Sequence, residues 1–410
     1  MGKIKTYKLG DIVNVLDYKR IPLSSTQRQN KKGIYPYYGA QGIIDYIDDY
    51  IFDGEYLLIA EDGENLKSQK QHVAQIAKGK YWVNNHAHIV ESNGLCDIRY
   101  VCYLLNRMDL SGYITGSAQP KLNQANLLKI EIKLPSLKEQ YKIAEFLHLF
   151  DDKIEINRRI NENLEQQAQA LFKSWFVDFE PFQDGKFVNS ELGMIPEGWK
   201  VGTLSDIIKN TISGDWGKEH PQGNHIRKVF CIRGADIPDI KIGNKGNMPT
   251  RFILEKNYQS KVLIDGDMVI EVSGGSPTQS TGRACRISNR LLDKYNNSII
   301  CTNFCKAIKP LSGYSSFLYY IWEMLYNQGV MFSYENGTTG IKNLDINGFI
   351  QKEQIIIPPI HIATDFEKMI KVFYDKIQSN GMQSERLAQL RDTLLPKLMS
   401  GELKINDFNN

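Results

Sequence analysis

The stretch 151-DDKIEINRRINENLEQQAQAL-171 contains neither Pro nor Gly, and a relative of it, 374-YDKIQSNGMQSERLAQL-390, returns close to the C-terminus. A coiled-coil seam needs apolar residues in alternating steps of three and four. Positions 143, 147, 150, 154, 157, 161, 164, 168, 171 and 175 read Ile, Leu, Phe, Ile, Asn, Asn, Leu, Ala, Leu and Trp. The same positions 223 residues later are Phe366, Ile370, Phe373, Ile377, Asn380, Ser384, Leu387, Arg391, Leu394 and Leu398. Both seams are apolar at their ends and polar in the middle. In an antiparallel pair, Asn157 and Asn380 would approach one another, and a buried amide pair fixes register at a cost in stability. Gly381 opposes this, because Asn-Gly is also a turn signal that breaks helices. The forty residues from Ser136 to Trp175 span roughly 60 Å as a helix. That overshoots a small domain, so the segment reads as a spacer and not only as an amphipathic helix lying on its own globule.

Working outward, the repeat continues on both sides of each helix. Pro135-Ser136-Leu137 matches Pro358-Pro359-Ile360, and 51-IFDGEYLLIAEDG-63 matches 263-LIDGDMVIEVSGG-275. Likewise 116-GSAQPKLNQANL-127 matches 337-GTTGIKNLDINGF-349, and 7-YKLGDIVNVL-16 matches 199-WKVGTLSDII-208. The order is globule, helix, globule, helix. The expected bounds are 1–134 for the first globule, 135–180 for the first helical spacer, 181–357 for a linker and the second globule, and 358–410 for the second spacer. The expected fold class is α+β: two similar globules joined by two long helices that form an antiparallel coiled coil, with a pseudo-two-fold repeat. Gly401 in 395-LPKLMSGELKI-405 ends the second helix as a C′ residue, and Pro181 follows the end of the first.

A chain of 410 residues accommodates two or three domains. No apolar run approaches the roughly 18 residues of a membrane span, and the N-terminus lacks the apolar core of a signal peptide. The six cysteines form no CxxC pair, and we read them as reduced and the chain as cytoplasmic. The formal net charge of +3 is uninformative by itself, but charge is segregated. Lys and Arg outnumber acidic residues from Met1 to Tyr35 and from Lys218 to Lys261, whereas Asp45 to Glu64 holds eight acidic residues and no basic one. One face is thereby suited to an anion.

Two similar globules at a fixed spacing suit a target with two sites at a fixed spacing, such as duplex DNA with its turn of ~34 Å. In the first globule, 31-KKGIYPYYGAQG-42 with Arg28 upstream combines phosphate donors with groups that reach base edges: Arg28 and Lys31 for phosphate, Tyr37, Tyr38 and Gln41 for bases. In the second, the Gly-rich 271-EVSGGSPTQSTGRACR-286 offers Ser273, Thr278, Gln279 and Arg283, since Gln binds adenine and Arg guanine through paired hydrogen bonds. Lys121 and Lys342, in the repeated loops, are candidate phosphate contacts. The alternative for each loop is ordinary surface-turn composition. No catalytic residues are assigned: the chain has no GxxxxGK[ST] loop and no GxGxxG, and 355-IIIPPI-360 lacks the Asn or Asp with which an amino-methyltransferase grips its target amine. His86 and His88 would lie on one strand face, but a zinc site needs two further ligands and Cys96 and Cys102 are wrongly spaced. They read as ordinary half-buried strand histidines, with no metal.

The segments 35-YPYYGAQGIIDYIDDYIFDGEYLLIAEDG-63, 134-LPSLKEQYKIAEFLHLFDDKIEINRRINENLEQQAQALFKSWF-176 and 390-LRDTLLPKLMSGEL-403 resemble the specificity subunits of type I restriction-modification systems, and the resemblance covers essentially the whole chain. It implies two target-recognition domains, each reading half of a bipartite asymmetric site in double-stranded DNA. It also implies that the helical regions set the gap and dock two modification subunits, and two restriction subunits where these exist. Methyl transfer to adenine from S-adenosylmethionine, and any ATP- and Mg2+-dependent translocation and cleavage, would then belong to partner chains, leaving this one non-catalytic and without a cofactor. The resemblance carries no base-contacting residue across. Arg391, where the first seam has Ala168, departs from the seam pattern and is expected to face a partner subunit. A stand-alone DNA-modifying enzyme with degenerate motifs and a protein-binding coiled-coil scaffold are the competing classes.

Overall fold

The computed structural model describes residues 4–68, 71–116, 119–276, 279–337 and 342–405. The chain divides into two compact units, Met1–Asp152 with Gln389–Asn410, and Lys153–Ala388. Each unit therefore holds one β-rich body together with one part of each long helix, Leu137–Phe176 and Ile360–Ser400.

The first unit is built on a six-stranded sheet. Its strand order is Val13–Val15, Ala87–Ser92, Phe52–Ala60, Ala74–Val83, Lys32–Gly39, Gly42–Ile47. All neighbours are antiparallel except Lys32–Gly39 and Ala74–Val83, which meet in parallel at Tyr37 and Trp82. In the second unit the same order recurs in two pieces. Ile208–Ser213, Cys305–Pro310, Met268–Glu271 and Ala284–Arg286 form one sheet; Ile299–Cys301, His225–Ile232 and Thr250–Leu254 form the other. The parallel neighbours are again the equivalent pair, Phe230 opposite Ile299. What is one long strand in the first unit, Ala74–Val83, is here two short strands separated by the helix Asn289–Lys294. The sequence repeat thus extends to the ladder, interrupted by one insertion.

Local structure repeats as well. The strand Lys5–Lys8 pairs with Glu131–Leu134, and Lys200–Thr203 pairs with Gln354–Ile357. Each first strand runs into a 3-10 turn closed by an aspartate, Asp11 accepting from the Lys8 N–H and Asp206 from the Thr203 N–H. Each loop carrying a candidate lysine is followed by a short helix with an Asx N-cap: Asn123 accepts from the Asn126 N–H and Asp345 from the Gly348 N–H. Such caps supply donors the helix start would otherwise lack.

The long helices pair antiparallel within each unit, and the seam positions are largely those read from the sequence, with Leu395 buried beside the expected, partly buried Leu394. In the second unit Trp175 meets Phe366 with ring centroids 6.0 Å apart, inside an aromatic core that includes Phe172, Phe176, Phe317 and Trp322. In the first, Ile143 and Leu147 share a core with Leu395, Leu398 and the sheet residues Leu57 and Ile59. Burying each such side chain contributes roughly 1.5–3 kcal/mol. The polar middle is resolved by the antiparallel offset. The Asn157 amide donates to Gln383 Oε1 (2.9 Å), Ser384 Oγ (3.2 Å) and the backbone carbonyl of Asn380 (3.4 Å). Asn380 Nδ2 donates to Asn161 Oδ1 (2.9 Å). Asn157 therefore meets the Asn380 backbone, and the amide-to-amide pair is Asn161 with Asn380.

Two expectations are corrected. The helix Ile360–Ser400 passes through Gly381 unbroken, because tertiary contacts outweigh the local turn preference of Asn-Gly. Arg391 faces the other long helix, donating to Asp151, which also accepts from the Tyr103 hydroxyl. A buried seam tolerates this cation because Asp151 neutralises it. At the ends, Phe179 with φ 56 turns the chain before Pro181, and Gly401 with φ 76 follows Ser400. None of the described helices is long and apolar enough to cross a membrane.

Candidate nucleic-acid interface

In the first unit the candidates lie on the hairpin of Lys32–Gly39 and Gly42–Ile47 and on the short helix before it, Ser25–Gln29. Tyr37 points inward and is fully buried, its hydroxyl accepting from the Leu23 N–H (2.9 Å). It is a core residue, which removes it as a DNA contact: the inward phase of strand alternation falls on it. Arg28 stacks over the Tyr37 ring (5.2 Å) and donates to Asp45 and to the Leu23 carbonyl. Lys31 pairs with Asp48 (3.3 Å). Tyr38 is half-buried, edge-on to Tyr81, and burial raises its phenol above the usual range. Gln41 is exposed at the hairpin turn, with its amide beside Gly63, whose N–H donates to the carbonyl of Pro120. The fold thereby brings Gln41 near Lys121.

Lys121 sits above a buried charge network. It pairs with Glu61 (3.2 Å), and Arg20 bridges Glu61 (2.8 Å) and Asp17 (3.2 Å). His88 is fully buried, with Nδ1 2.6 Å from Asp17 and Nε2 2.7 Å from the Leu122 carbonyl. Both ring nitrogens therefore face oxygen acceptors. For Asp17, burial works upward, but the His88 hydrogen bond, the Ile89 N–H and the nearby cations bring its carboxyl below the ordinary value. Asp17, Glu61 and His88 bring ligand atoms within 4.8 Å of one another, yet Arg20 already donates the positive charge that a cation would bring. His86 lies in the turn ahead of the strand and pairs with Asp62 (2.7 Å). The two histidines therefore do not share a strand face, and His88 is not half-buried.

In the second unit, Ser273, Gln279, Arg283 and Lys342 are gathered around a small ribbon of Ser273–Gly274, Lys342–Leu344 and Glu335–Asn336. Thr278 lies outside the described residues. Ser273 Oγ donates to Asn343 (2.5 Å), and Gln279 is exposed. Lys342 pairs with Glu335 (2.8 Å), whose other oxygen accepts from the Thr281 N–H and hydroxyl. Lys121 and Lys342 thus share a design: a loop lysine over a largely buried glutamate. Each ammonium keeps further N–H donors for a phosphate. Arg283 is committed inward. Its fork grips buried Glu271 through two bonds (2.7 and 2.8 Å), which raises the guanidinium further.

Sequence reasoning missed the equivalent of the first unit's hairpin. In the second unit it is the ribbon His225–Ile232 with Thr250–Leu254, and both ladders slip at their outer end, between Lys32 and Tyr35 and between His225 and Arg227. A bulge re-aims side chains. Here it turns Ile34 and Ile226 outward, leaving them 79% and 69% exposed. The second ribbon also carries guanidinium–aromatic stacks, Arg227 over Tyr258 (3.8 Å) and Arg251 over Trp216 (3.9 Å). Of the two, Arg227 is the open one, its side chain 39% exposed and its stacked plane suited to phosphate or base recognition, whereas Arg251 is buried and already pairs with Glu219 (2.8 Å). The basic run from Lys218 to Lys261 was the available signal, but the pairing that groups these residues was not legible.

The profile described as Type I restriction modification DNA specificity domain matches residues 1–166. The chain is 33% identical over 347 residues to the type I restriction enzyme MjaIX specificity subunit of Methanocaldococcus jannaschii, covering 81% of this chain and 75% of that protein. It is 26% identical over 349 residues to the HindI specificity subunit of Haemophilus influenzae, covering 69% and 71%. The crystal structure of a type I restriction-modification S subunit from M. genitalium superposes with a TM-score of 0.54 at 15% identity, over 97% of this chain and 96% of that one. That last likeness concerns the fold.

Proposed function

Because the chain belongs to the type I restriction enzyme specificity subunits, we propose that it is the DNA-reading component of such an enzyme, with each unit reading one half of an asymmetric bipartite site. The observation that carries this reading is the duplicated ribbon: the same strands, bulged at the same place, present an outward isoleucine in both units. Their flanking side chains differ, Lys31 and Lys32 against Arg227 and Lys228, so the two half-sites differ as well. Direct readout falls to the outward groups, Gln41 and Ile34 in one unit and Gln279 and Ile226 in the other. Lys121 and Lys342 contact phosphate. Arg28 and Arg283 support these surfaces from behind.

The helices dock two modification subunits. Leu149 and Val372 occupy the same repeat position, 223 residues apart, and are 63% and 68% exposed. An apolar side chain presented twice at one repeat position suits two copies of one partner. Restriction subunits join where they exist. Adenine methylation with S-adenosylmethionine, and ATP- and Mg2+-dependent steps, reside in those chains. To test this, the chain is co-expressed with its modification partner in a host lacking adenine methylation, and methylated adenines are mapped by single-molecule sequencing. One asymmetric bipartite motif with a fixed gap is expected. No motif, from a partner that is active with another specificity subunit, would refute the reading.

A further inference from the structure

The second unit differs from the first at the tip of its ribbon. Between Lys32–Gly39 and Gly42–Ile47 lies a two-residue turn, Ala40 and Gln41, whereas between His225–Ile232 and Thr250–Leu254 the chain makes an excursion, 233–249. This excursion lands on the long helices. Its helix Ile237–Lys241 ends in a turn whose Gly243 has φ 87. A Cβ on Gly243 would lie 2.5 Å from the Ile377 carbonyl oxygen and 2.8 Å from Gln378 Cα. Reciprocally, a Cβ on Gly381 would lie 2.4 Å from the Gly243 carbonyl carbon and 2.5 Å from Ile242 O. Backbone meets backbone with no side chain between them.

The polar layer of the helices closes around this contact. Asn161 Nδ2 donates to Ile242 O (3.1 Å) and Ile377 O (3.2 Å), tying turn and helix together from the opposite helix. Gln378, 2% exposed, accepts from Ser288 Oγ (2.9 Å) and donates to Ile240 O (3.4 Å). Glu385 accepts from the Lys245 N–H and from Lys294 Nζ. Lys241 pairs with buried Glu323 (2.5 Å). The amides in the seam therefore bind the excursion as well as each other. At the repeat position of Gly381 the first helix has Arg158, exposed and paired with Glu155 and Glu162 of its own helix.

We propose that Gly243 and Gly381 form a seat that fixes the pose of the second unit's ribbon on the helix pair, making them positioning residues for the second half-site and for the gap. This rests on the DNA-reading function proposed above. Packed backbones cannot interpenetrate, so a Cβ at 381 must part them by about 1 Å to reach ordinary contact distance. The ribbon strands, which bracket the excursion, move with it.

The test uses the complex with modification subunits. Once the wild-type motif is mapped, Gly381→Ala is assayed on substrates with the native gap and with gaps one base pair shorter and longer. Misplacement by about 1 Å costs about ten- to a hundredfold in a positioned reaction, so methylation at the native gap should fall by that factor. Discrimination between native and altered gaps should shrink, while the bases read in the first half-site stay the same. An isolated helix gains from Gly→Ala, so lost activity reports the seat and not helix propensity. Should G381A fail to assemble, Asn161→Ala, which removes the tie without filling the seat, is read in the same way. Unchanged gap discrimination in the assembled variant, with only a lower melting temperature, overturns the seat. A wild-type complex that methylates without a bipartite motif instead overturns the functional reading beneath it.

Discussion

Replacing Arg283 by Ala separates a side chain that reads DNA from one that holds the fold. Glu271 is 6% exposed, and both its oxygens accept from the Arg283 fork. Removing the guanidinium strands a carboxylate in the sheet, and losing one partner of a buried pair costs about 3–5 kcal/mol. Because the Arg283 side chain is itself 25% exposed, water would reach the stranded charge, and the low end, about 3 kcal/mol, is expected. Urea unfolding of the full chain measures this as a fall in midpoint at constant slope. The double replacement Arg283→Met with Glu271→Leu removes both charges and should recover stability to within about 1 kcal/mol of the wild type. Its complex should methylate the unaltered motif. If Arg283→Ala leaves stability intact but relaxes one base of the second half-site, the fork is free to bind DNA and the structural assignment is wrong.

Further outcomes follow from the same geometry. Ile226→Ala should weaken recognition by about 1 kcal/mol at the second half-site only, and Ile34→Ala at the first only, if each covers a thymine methyl; methylation rates on single-base variants of the motif measure both. Asp17 has a folded pKa below its unfolded value, so its stabilisation is present above the ordinary carboxylate value of about 4 and is lost as pH falls through the lowered one. The stability gap between wild type and Asp17→Asn should therefore close in acid, as read from unfolding curves between pH 7 and 3. Leu149→Asp and Val372→Asp should each weaken one partner contact about tenfold or more. Native mass measurement should then show complexes with a single modification subunit for each variant, and none for the pair.

The helices were legible because their signal is long and periodic. Seam residues at steps of three and four reappeared 223 residues on, and two of them, Trp175 and Phe366, meet across the pair, although the register is one helical turn from the one that would set Asn157 against Asn380. The strands were not legible, since short segments such as Ala284–Arg286 and Ile299–Cys301 carry no period, and only pairing shows them to be the two parts of one repeated strand. Gly381 was misread because the Asn-Gly signal is local while its reason lies on residue 243, far away in sequence. Site residues fared worst. A polar or aromatic residue of the hairpin looks the same in sequence whether it points outward, as Gln41 does, or inward, as Tyr37 does. The acidic partners of Arg28, Lys31 and Arg283 are brought up by the fold alone.

The seat under the second ribbon also bears on how this chain can be taken apart and rebuilt. A transplanted first β-body brings a tight hairpin with no excursion at its tip. A transplanted second body brings an excursion shaped to one bare patch of helix backbone, and it fits only where residue 381 has no side chain and residue 161 is an amide. The exchangeable cassette at that end is therefore discontinuous: residues 181–357 travel with the helix faces around 161 and 377–385. Chimeras cut at the body–helix junctions alone should tolerate new first bodies more readily than new second ones.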